Sequence, residues 1–256
     1  MISETLTPPP YISASSLATF LQCPLKYKYS RIDGLSEPPT EATLRGNFVH
    51  DVLELLYGLE PQERTQQNAR SLARTLWDEK WMNEVLPYIP EAELNDFRWS
   101  SWWCIEALWK LEDPMTITPA GLETEINVEI AGVAIKGFID RYEFSDGELV
   151  VSDYKTGKTP ALRYRADKYT QLMLYASGLR ELGIGEATRI QLLYLKTGDL
   201  VDKAVNEDDY SAVNTLLQGV KSDIDRYCED GEFPTSTSRL CDWCSYKSFC
   251  PAWEKK

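Results

Sequence analysis

With 256 residues, 43% of them hydrophobic and 26% charged, the chain has the make-up of a soluble globular protein with enough apolar material for a full core. One domain carrying an insertion is the expected organisation. Forty acidic against 27 basic residues leave a net charge of -13, which repels nucleic acid at long range and argues against a protein that coats DNA by bulk charge.

Any nucleic-acid contact must then be locally basic. Lys26, Lys28 and Arg31 form one such cluster, and Lys158, Arg163, Arg165 and Lys168 another; each reads equally well as a solvated face. No stretch approaches the roughly 18 consecutive apolar residues of a membrane helix, so no membrane partner is expected. The opening Met-Ile-Ser-Glu-Thr-Leu-Thr-Pro-Pro-Pro lacks a basic segment followed by an apolar one, so the expected location is cytoplasmic. In that reducing compartment closely spaced thiols favour metal binding over disulfides.

After the triple proline, Ser13 is placed to cap a short helix carrying Leu17, Phe20 and Leu21 that ends near Cys23-Pro24. A second helix is expected from about Glu41 to Leu59. Its apolar stripe is Phe48, Val49, Val52, Leu53 and Leu56, and His50 falls roughly 145° from the centre of that stripe. Residues 61–118 read as a helical insertion rich in tryptophan: Trp77, Trp81, Trp99, Trp102, Trp103 and Trp109. Such rings could stack unpaired bases, but at helical spacing they are expected in the core and are assigned no chemistry.

The period then changes. Leu122, Thr124, Ile126, Val128 and Ile130 alternate with Glu123, Glu125, Asn127 and Glu129, a half-buried strand turned by Ala131-Gly132. A second strand over Val133 to Phe144 and a third over Glu148 to Lys155 are joined by Asp146-Gly147, giving a three-stranded meander. A helix from about Asp167 to Leu182, closed by Gly183, leads to a strand over Arg189 to Leu195 and a helix over roughly Asp208 to Tyr227. The fold class is α/β.

If Asp146-Gly147 form a two-residue type I′ loop, Ser145 pairs with Glu148 and, in the same register, Asp140 falls opposite Asp153. Lys155 shares their face, because side chains two apart point the same way. Opposed carboxylates among Phe138, Tyr142, Phe144, Leu149 and Val151 are costly without compensation. Lys155 could neutralise one aspartate near a strand end, but a hard divalent cation, Mg²⁺ or Mn²⁺, compensates both and can bind a phosphate oxygen. Lys155 would then hold or polarise an attacking water and offset charge in the transition state.

Four segments taken together resemble one family. Gly46-Asn47-Phe48-Val49-His50 resembles a Gly-x-x-x-His helix, and Gly137-Phe138-Ile139-Asp140-Arg141 a Gly-x-x-Asp-Arg strand. Asp153-Tyr154-Lys155-Thr156-Gly157 resembles an Asp-Tyr-Lys-Thr-Gly strand, and Gln171-Leu172-Met173-Leu174-Tyr175 a Gln-x-x-x-Tyr helix. Their order is that of the PD-(D/E)XK nucleases, in the RecB-like exonuclease branch that includes the iron-sulfur nucleases of CRISPR adaptation. The resemblance implies a restriction-endonuclease-like core of helix, meander, helix and strand in a single domain, 1–256, and DNA, single-stranded or end-bearing, as substrate. It further implies that His50, Asp140, Asp153 and the Tyr154 carbonyl hold the metal, and that Gln171 and Tyr175, four apart on one helix face, position Lys155 or the DNA backbone. Arg141 points to the other sheet face, and its role is left open.

Cys241, Cys244 and Cys250 lie within ten residues of one another, and Cys23 lies far upstream. Spacing alone suits zinc or a 4Fe-4S cluster, with zinc the commoner answer. The resemblance implies the cluster, with the segment 231–256 joined to Cys23 in a structural role. Cys104, amid Trp102, Trp103 and Ile105, and Cys228, near a helix end, read as inert buried hydrophobes. The function expected is therefore a metal-dependent deoxyribonuclease; the reading from another class is a catalytically silent DNA-binding or redox-sensing module.

Overall fold

A computed structural model describes residues 5–162 and 166–253. Its elements run in the order α1 (Ala14–Gln22), α2 (Pro24–Tyr27), α3 (Glu41–Tyr57), α4 (Gln66–Leu76), α5 (Met82–Val85), α6 (Leu94–Glu106), α7 (Leu108–Leu111), β1 (Pro119–Ile130), β2 (Val133–Ser145), β3 (Glu148–Lys155), α8 (Ala166–Glu181), β4 (Ala187–Tyr194), β5 (Asp199–Ala204) and α9 (Glu207–Asp230). Two short 3₁₀ turns, Arg239–Trp243 and Lys247–Phe249, follow in the tail. The fold is the expected α/β arrangement with a five-stranded sheet in the order β1-β2-β3-β4-β5.

Local chemistry accounts for the connections. Both central residues of each early hairpin have positive φ, Ala131 at 51° with Gly132 at 82° and Asp146 at 54° with Gly147 at 82°, the signature of type I′ turns whose twist suits flanking strands. The β2–β3 register runs from Ser145↔Glu148 to Arg141↔Ser152, as the two-residue loop dictates. β3 and β4 are parallel and so need a crossover, which α8 supplies. That helix is buried almost all round, from Leu172 to Leu179, as a helix packed on a sheet face must be. β5, antiparallel to β4, was not anticipated: Asp199-Leu200-Val201-Asp202-Lys203-Ala204 carries two adjacent apolar residues among charges, the composition of a protected edge strand.

The chain divides into two compact units, one comprising residues 1–38, 127–137 and 207–256, the other 39–126 and 138–206. In the first, Ser13 caps α1 through a capping box with Ser16, and Phe20 packs edge-on against Tyr27 at 5.3 Å. Leu21, expected in this core, is exposed. Two of the three residues of the basic cluster here are paired locally, Lys26 at 3.3 Å from Glu37 and Lys28 at 2.7 Å from Asp33, while Arg31 reaches the Ser15 hydroxyl at 3.1 Å. In the second cluster, Arg163 and Arg165 lie outside the described residues, while Lys158 and Lys168 are exposed.

In the second unit the predicted stripe of α3, Phe48, Val49, Val52, Leu53 and Leu56, is buried together with Trp77, Trp81, Phe97, Ile105 and Tyr154. At roughly 1.5–3 kcal/mol per fully buried large apolar side chain, this cluster is the main stabilising feature of the unit. The tryptophan expectation holds for Trp77 and Trp81 and fails for Trp99 and Trp103, which are 50% and 62% exposed. The reason lies in α6: its buried line is Phe97, Ser101, Cys104 and Ile105, leaving the indoles two residues along on the outer side. Among the described residues no helix is long and apolar enough to cross a membrane.

Candidate active site

The second unit gathers the motif residues on one side of the sheet. His50 sits on α3 away from the buried stripe; its Nε2 lies 2.9 Å from the Tyr154 carbonyl, so Nε2–H donates and Nδ1 is the nitrogen left for other partners. Nδ1 faces Asp140 Oδ2 at 3.4 Å and Glu123 Oε1 at 3.9 Å. Asp140 Oδ2 also accepts the Tyr154 N–H at 2.8 Å. Just past the last β2–β3 pair, a carboxylate thus takes a backbone donor that the ladder leaves over.

Among the described residues, His50, Glu123 and Asp140 are the group of histidine, cysteine and carboxylate ligand atoms that lie within 4.8 Å of one another. Asp153 falls outside that triplet but feels the charges of both Asp140 and His50. Lys155 Nζ lies 2.6 Å from Asp153 Oδ2 and donates to Gln171 Oε1 at 2.9 Å, whose Nε2 donates to the Tyr175 hydroxyl at 3.1 Å. The Lys155 contact is an ion pair outside hydrogen-bond geometry, so both Asp153 oxygens are buried without a hydrogen-bond partner.

These contacts set the charges. Burial opposes protonation of His50, yet the charge and hydrogen bond of Asp140 outweigh it and raise the imidazole to about 9. Burial works to raise Asp140 too, but His50, the Tyr154 N–H and Lys155 hold it below the usual carboxylate range. Burial lifts Asp153 to about 6 despite Lys155, and burial with the nearby Asp140 charge lifts Glu123 to about 7. Burial disfavours the Lys155 ammonium, but Asp153 more than compensates and keeps it protonated.

Glu123 lies outside the site expected from the sequence, where the alternation of the strand puts it on the solvent side. Its φ of 39° breaks that alternation. The break follows Gly121, where a Cβ would come within 2.2 Å of the Tyr142 ring, so the strand can pass Tyr142 only with glycine there. The glycine was the one available signal.

Arg141, whose role was open, is wholly buried on the opposite sheet face. It forms a two-pronged pair with Glu112, Nη1–Oε1 2.6 Å and Nη2–Oε2 2.8 Å. It also donates to Glu143 at 2.9 Å and to the Tyr154 hydroxyl at 2.7 Å. It is a structural hub that reaches the groups around His50 only through Tyr154.

The donor set fits a hard divalent cation. Two carboxylates and one imidazole converge, the fully buried Asp153 carboxylate beside them has no hydrogen-bond partner beyond its ion pair with Lys155, and oxygen-rich sites with one nitrogen suit Mg²⁺ or Mn²⁺.

In the other unit Cys23, Cys241, Cys244 and Cys250 line one pocket. All four are free thiols of intermediate burial, whereas Cys104 and Cys228 are buried. The Ser236 N–H points at Cys23 Sγ at 3.5 Å and the Ser238 N–H at Cys241 Sγ at 3.3 Å.

Known proteins bear on this geometry. The profile of the PD-(D/E)XK nuclease superfamily matches residues 11–251. The Gene 69 protein of Mycobacterium phage L5 is 23% identical over 301 aligned positions, covering 99% of this chain and 100% of that one. The Gene 69 protein of Mycobacterium phage D29 is 25% identical over 207 positions, 69% of this chain and 74% of that one. A protein from Eubacterium rectale, provisionally named an exonuclease, superposes with a TM-score of 0.59 at 16% identity over 93% of this chain and 88% of that one, a likeness of fold. With the profile spanning almost the whole sequence on a sheet and helices of this kind, the chain belongs to the PD-(D/E)XK nuclease superfamily.

Proposed function

We propose that the chain is a metal-dependent deoxyribonuclease that hydrolyses phosphodiester bonds, acting as an exonuclease on single-stranded or end-bearing DNA. The observation that carries this reading is the buried Asp153 carboxylate, ion-paired with Lys155, beside the His50, Glu123 and Asp140 group. His50 through Nδ1, Asp140, Asp153 and Glu123 would hold Mg²⁺ or Mn²⁺, with the free lone pair of the Tyr154 carbonyl as a further donor. When bound, the ion supplies Lewis acidity and a contact for a phosphate oxygen.

The protein groups divide the remaining work. Because Lys155 stays protonated, it cannot accept a proton; it donates a hydrogen bond that orients the attacking water and offsets negative charge on the phosphorane oxygens. Gln171 fixes the Lys155 ammonium, and Tyr175 fixes Gln171, so both are positioning residues. Burial of this row keeps bulk water from screening the Lys155 charge.

The four thiols of the other unit would hold a structural 4Fe-4S cluster in a single nuclease domain whose residues 61–118 are an insertion and whose residues 231–256 are tied to Cys23. The four thiols share one pocket, and a reducing cytoplasm suits metal or cluster binding there over disulfides. Labelled single-stranded DNA incubated with anaerobically purified protein should be degraded with Mg²⁺ or Mn²⁺ and not with EDTA. Lys155→Ala should slow degradation by about 10²–10³-fold or more; unchanged turnover in that variant overturns the reading.

A further inference from the structure

Between α4 and α6 lies a cavity of about 280 Å³ whose walls include Arg70, Arg74, Trp77, Arg98, Trp99 and Trp102. The guanidinium of Arg70 stands 5.0 Å from the Trp102 ring centre and 5.9 Å from that of Trp99, and Arg98 stands 5.2 Å from Trp77. Other basic side chains of the second unit are neutralised by carboxylates, as with Arg45–Glu41, Lys80–Asp51 and Arg141–Glu112, while Arg64 is taken up by backbone carbonyls. Among the described residues, Arg70, Arg74 and Arg98 have no carboxylate within ion-pair distance. In a chain with 40 acidic and 27 basic residues, three neighbouring arginines left without partners mark a place where the counter-charge comes from outside.

Two further cavities along α6 share lining residues with it in turn. Trp99 also lines a second cavity with Arg45, Ser100 and Trp103, beside Glu41 and Asp96. Arg45 and Trp103 then line a third, with Lys110, Lys196 and Glu106, which ends at Leu195–Gly198. Trp99 and Trp103 are four residues apart and so share a helix face, with half or more of each indole in water. At the far end, the Leu195 N–H donates to the Lys155 carbonyl at 2.9 Å. These cavities thus run from three arginines without a carboxylate partner, past two exposed indoles, to the residues after β4, the strand that lies beside Lys155 in the sheet.

From this we infer that the α4–α6 face is a path for single-stranded DNA, with Arg70, Arg74 and Arg98 taking backbone phosphates and Trp99 and Trp103 stacking on unpaired bases. Planar guanidinium groups held over indole rings keep their N–H forks free for phosphate oxygens. An exposed indole offers a face to any base that is not already stacked in a duplex. The path rests on the nuclease reading above and adds to it how the strand is held and from which side it arrives.

The test uses the full chain in EDTA, so that nothing is cut, and the anisotropy of a fluorescein-labelled oligothymidylate of about 15 nucleotides. Trp99→Ala/Trp103→Ala should weaken binding by about tenfold or more. Arg70→Gln/Arg98→Gln should weaken it comparably and lower the salt dependence by about 0.7 for each phosphate no longer held, which the tryptophan variant should not do. Thermal melts check the fold, and Trp103→Ala alone, the most exposed of these rings, gives the readout if a double variant melts early. Unchanged affinity in both variants, or equal competition by a duplex of the same length, overturns the path. A labelled trinucleotide with Mn²⁺ keeps the two readings apart. Failure of the unaltered protein to cut it overturns the nuclease, whereas variants that cut both it and the longer strand at the normal rate overturn the path.

Discussion

Replacing Asp153 by asparagine should make the metal-free protein more stable at pH 8 while abolishing its response to divalent metal. The Asp153 side chain is 1% exposed and its two oxygens have no hydrogen-bond partner. Burial sets its carboxyl at about 6 against an ordinary 3.8, with Lys155 and His50 pulling it down and Asp140 pushing it up. A folded-state value above the unfolded one means that folding favours the protonated acid. That contribution is complete below pH 3.8 and is lost as the pH rises through 6. A rise of about two on the pH scale, at about 1.4 kcal/mol for each, puts the cost of the ionised group at pH 8 on the order of 3 kcal/mol. Asparagine, always neutral, avoids that cost but leaves Lys155 without its partner, which offsets part of the gain. At roughly 2–4 °C per kcal/mol for a chain of this size, the melting temperature in EDTA should rise by about 5 °C. The advantage should shrink toward pH 4. Added Mn²⁺ should then raise the melting temperature of the unaltered protein, because a ligand that binds only the folded state stabilises it by mass action, and leave the variant where it was. An Asp153→Asn protein that melts no higher than the original in EDTA at pH 8, or that still gains from Mn²⁺, refutes the reasoning.

Arg141→Met should lower stability by about 3–5 kcal/mol in urea titrations, because it strands the Glu112 and Glu143 carboxylates in a dry interior; a loss below about 1 kcal/mol would show that the cluster is not held by charge. With His50 raised to about 9, a metal taken at Nδ1 displaces a proton at neutral pH. Apparent Mn²⁺ affinity by calorimetry should therefore climb about tenfold per pH unit from 7 toward 9 and then level, while His50→Ala binds weakly with no such slope. Protein purified without oxygen should be brown, absorb near about 400 nm and carry roughly four irons. Cys23→Ser should lose iron and thermal stability together, and Cys104→Ala should keep its iron; colourless protein with one zinc refutes the cluster.

How much can be read from the residues depends on how local their physics is. The Asp146-Gly147 turn fixes the β2–β3 register through short-range geometry, so the neighbourhood of Asp140, Asp153 and Lys155 is legible from the residues alone. The α3 stripe is legible for the same reason, and with it the displacement of His50. Glu123 is not, because its positive φ lies beside a glycine required by the close Tyr142 ring on another strand, and alternation along one strand cannot show such a contact. Trp99 and Trp103 escape sequence reasoning because α6 carries large aromatics on both faces, and hydrophobic spacing cannot say which face meets α3. The pairing of Lys26 with Glu37 and Lys28 with Asp33 likewise takes two charges out of a basic cluster in the sequence.

Tyr154 belongs to both sides of the sheet at once. Its N–H and carbonyl hold Asp140 and His50, while its hydroxyl, on the reverse side, accepts from Arg141. The proposed metal cradle is thereby fastened from behind by Arg141, which contributes no side chain to it. Catalytic strength in this chain can accordingly be tuned without touching a single ligand: a shift of Arg141, Glu112 or Ser152 is transmitted through one backbone to the spacing of the groups in front. Variants selected for altered metal preference should accumulate on the reverse side as readily as in the site itself.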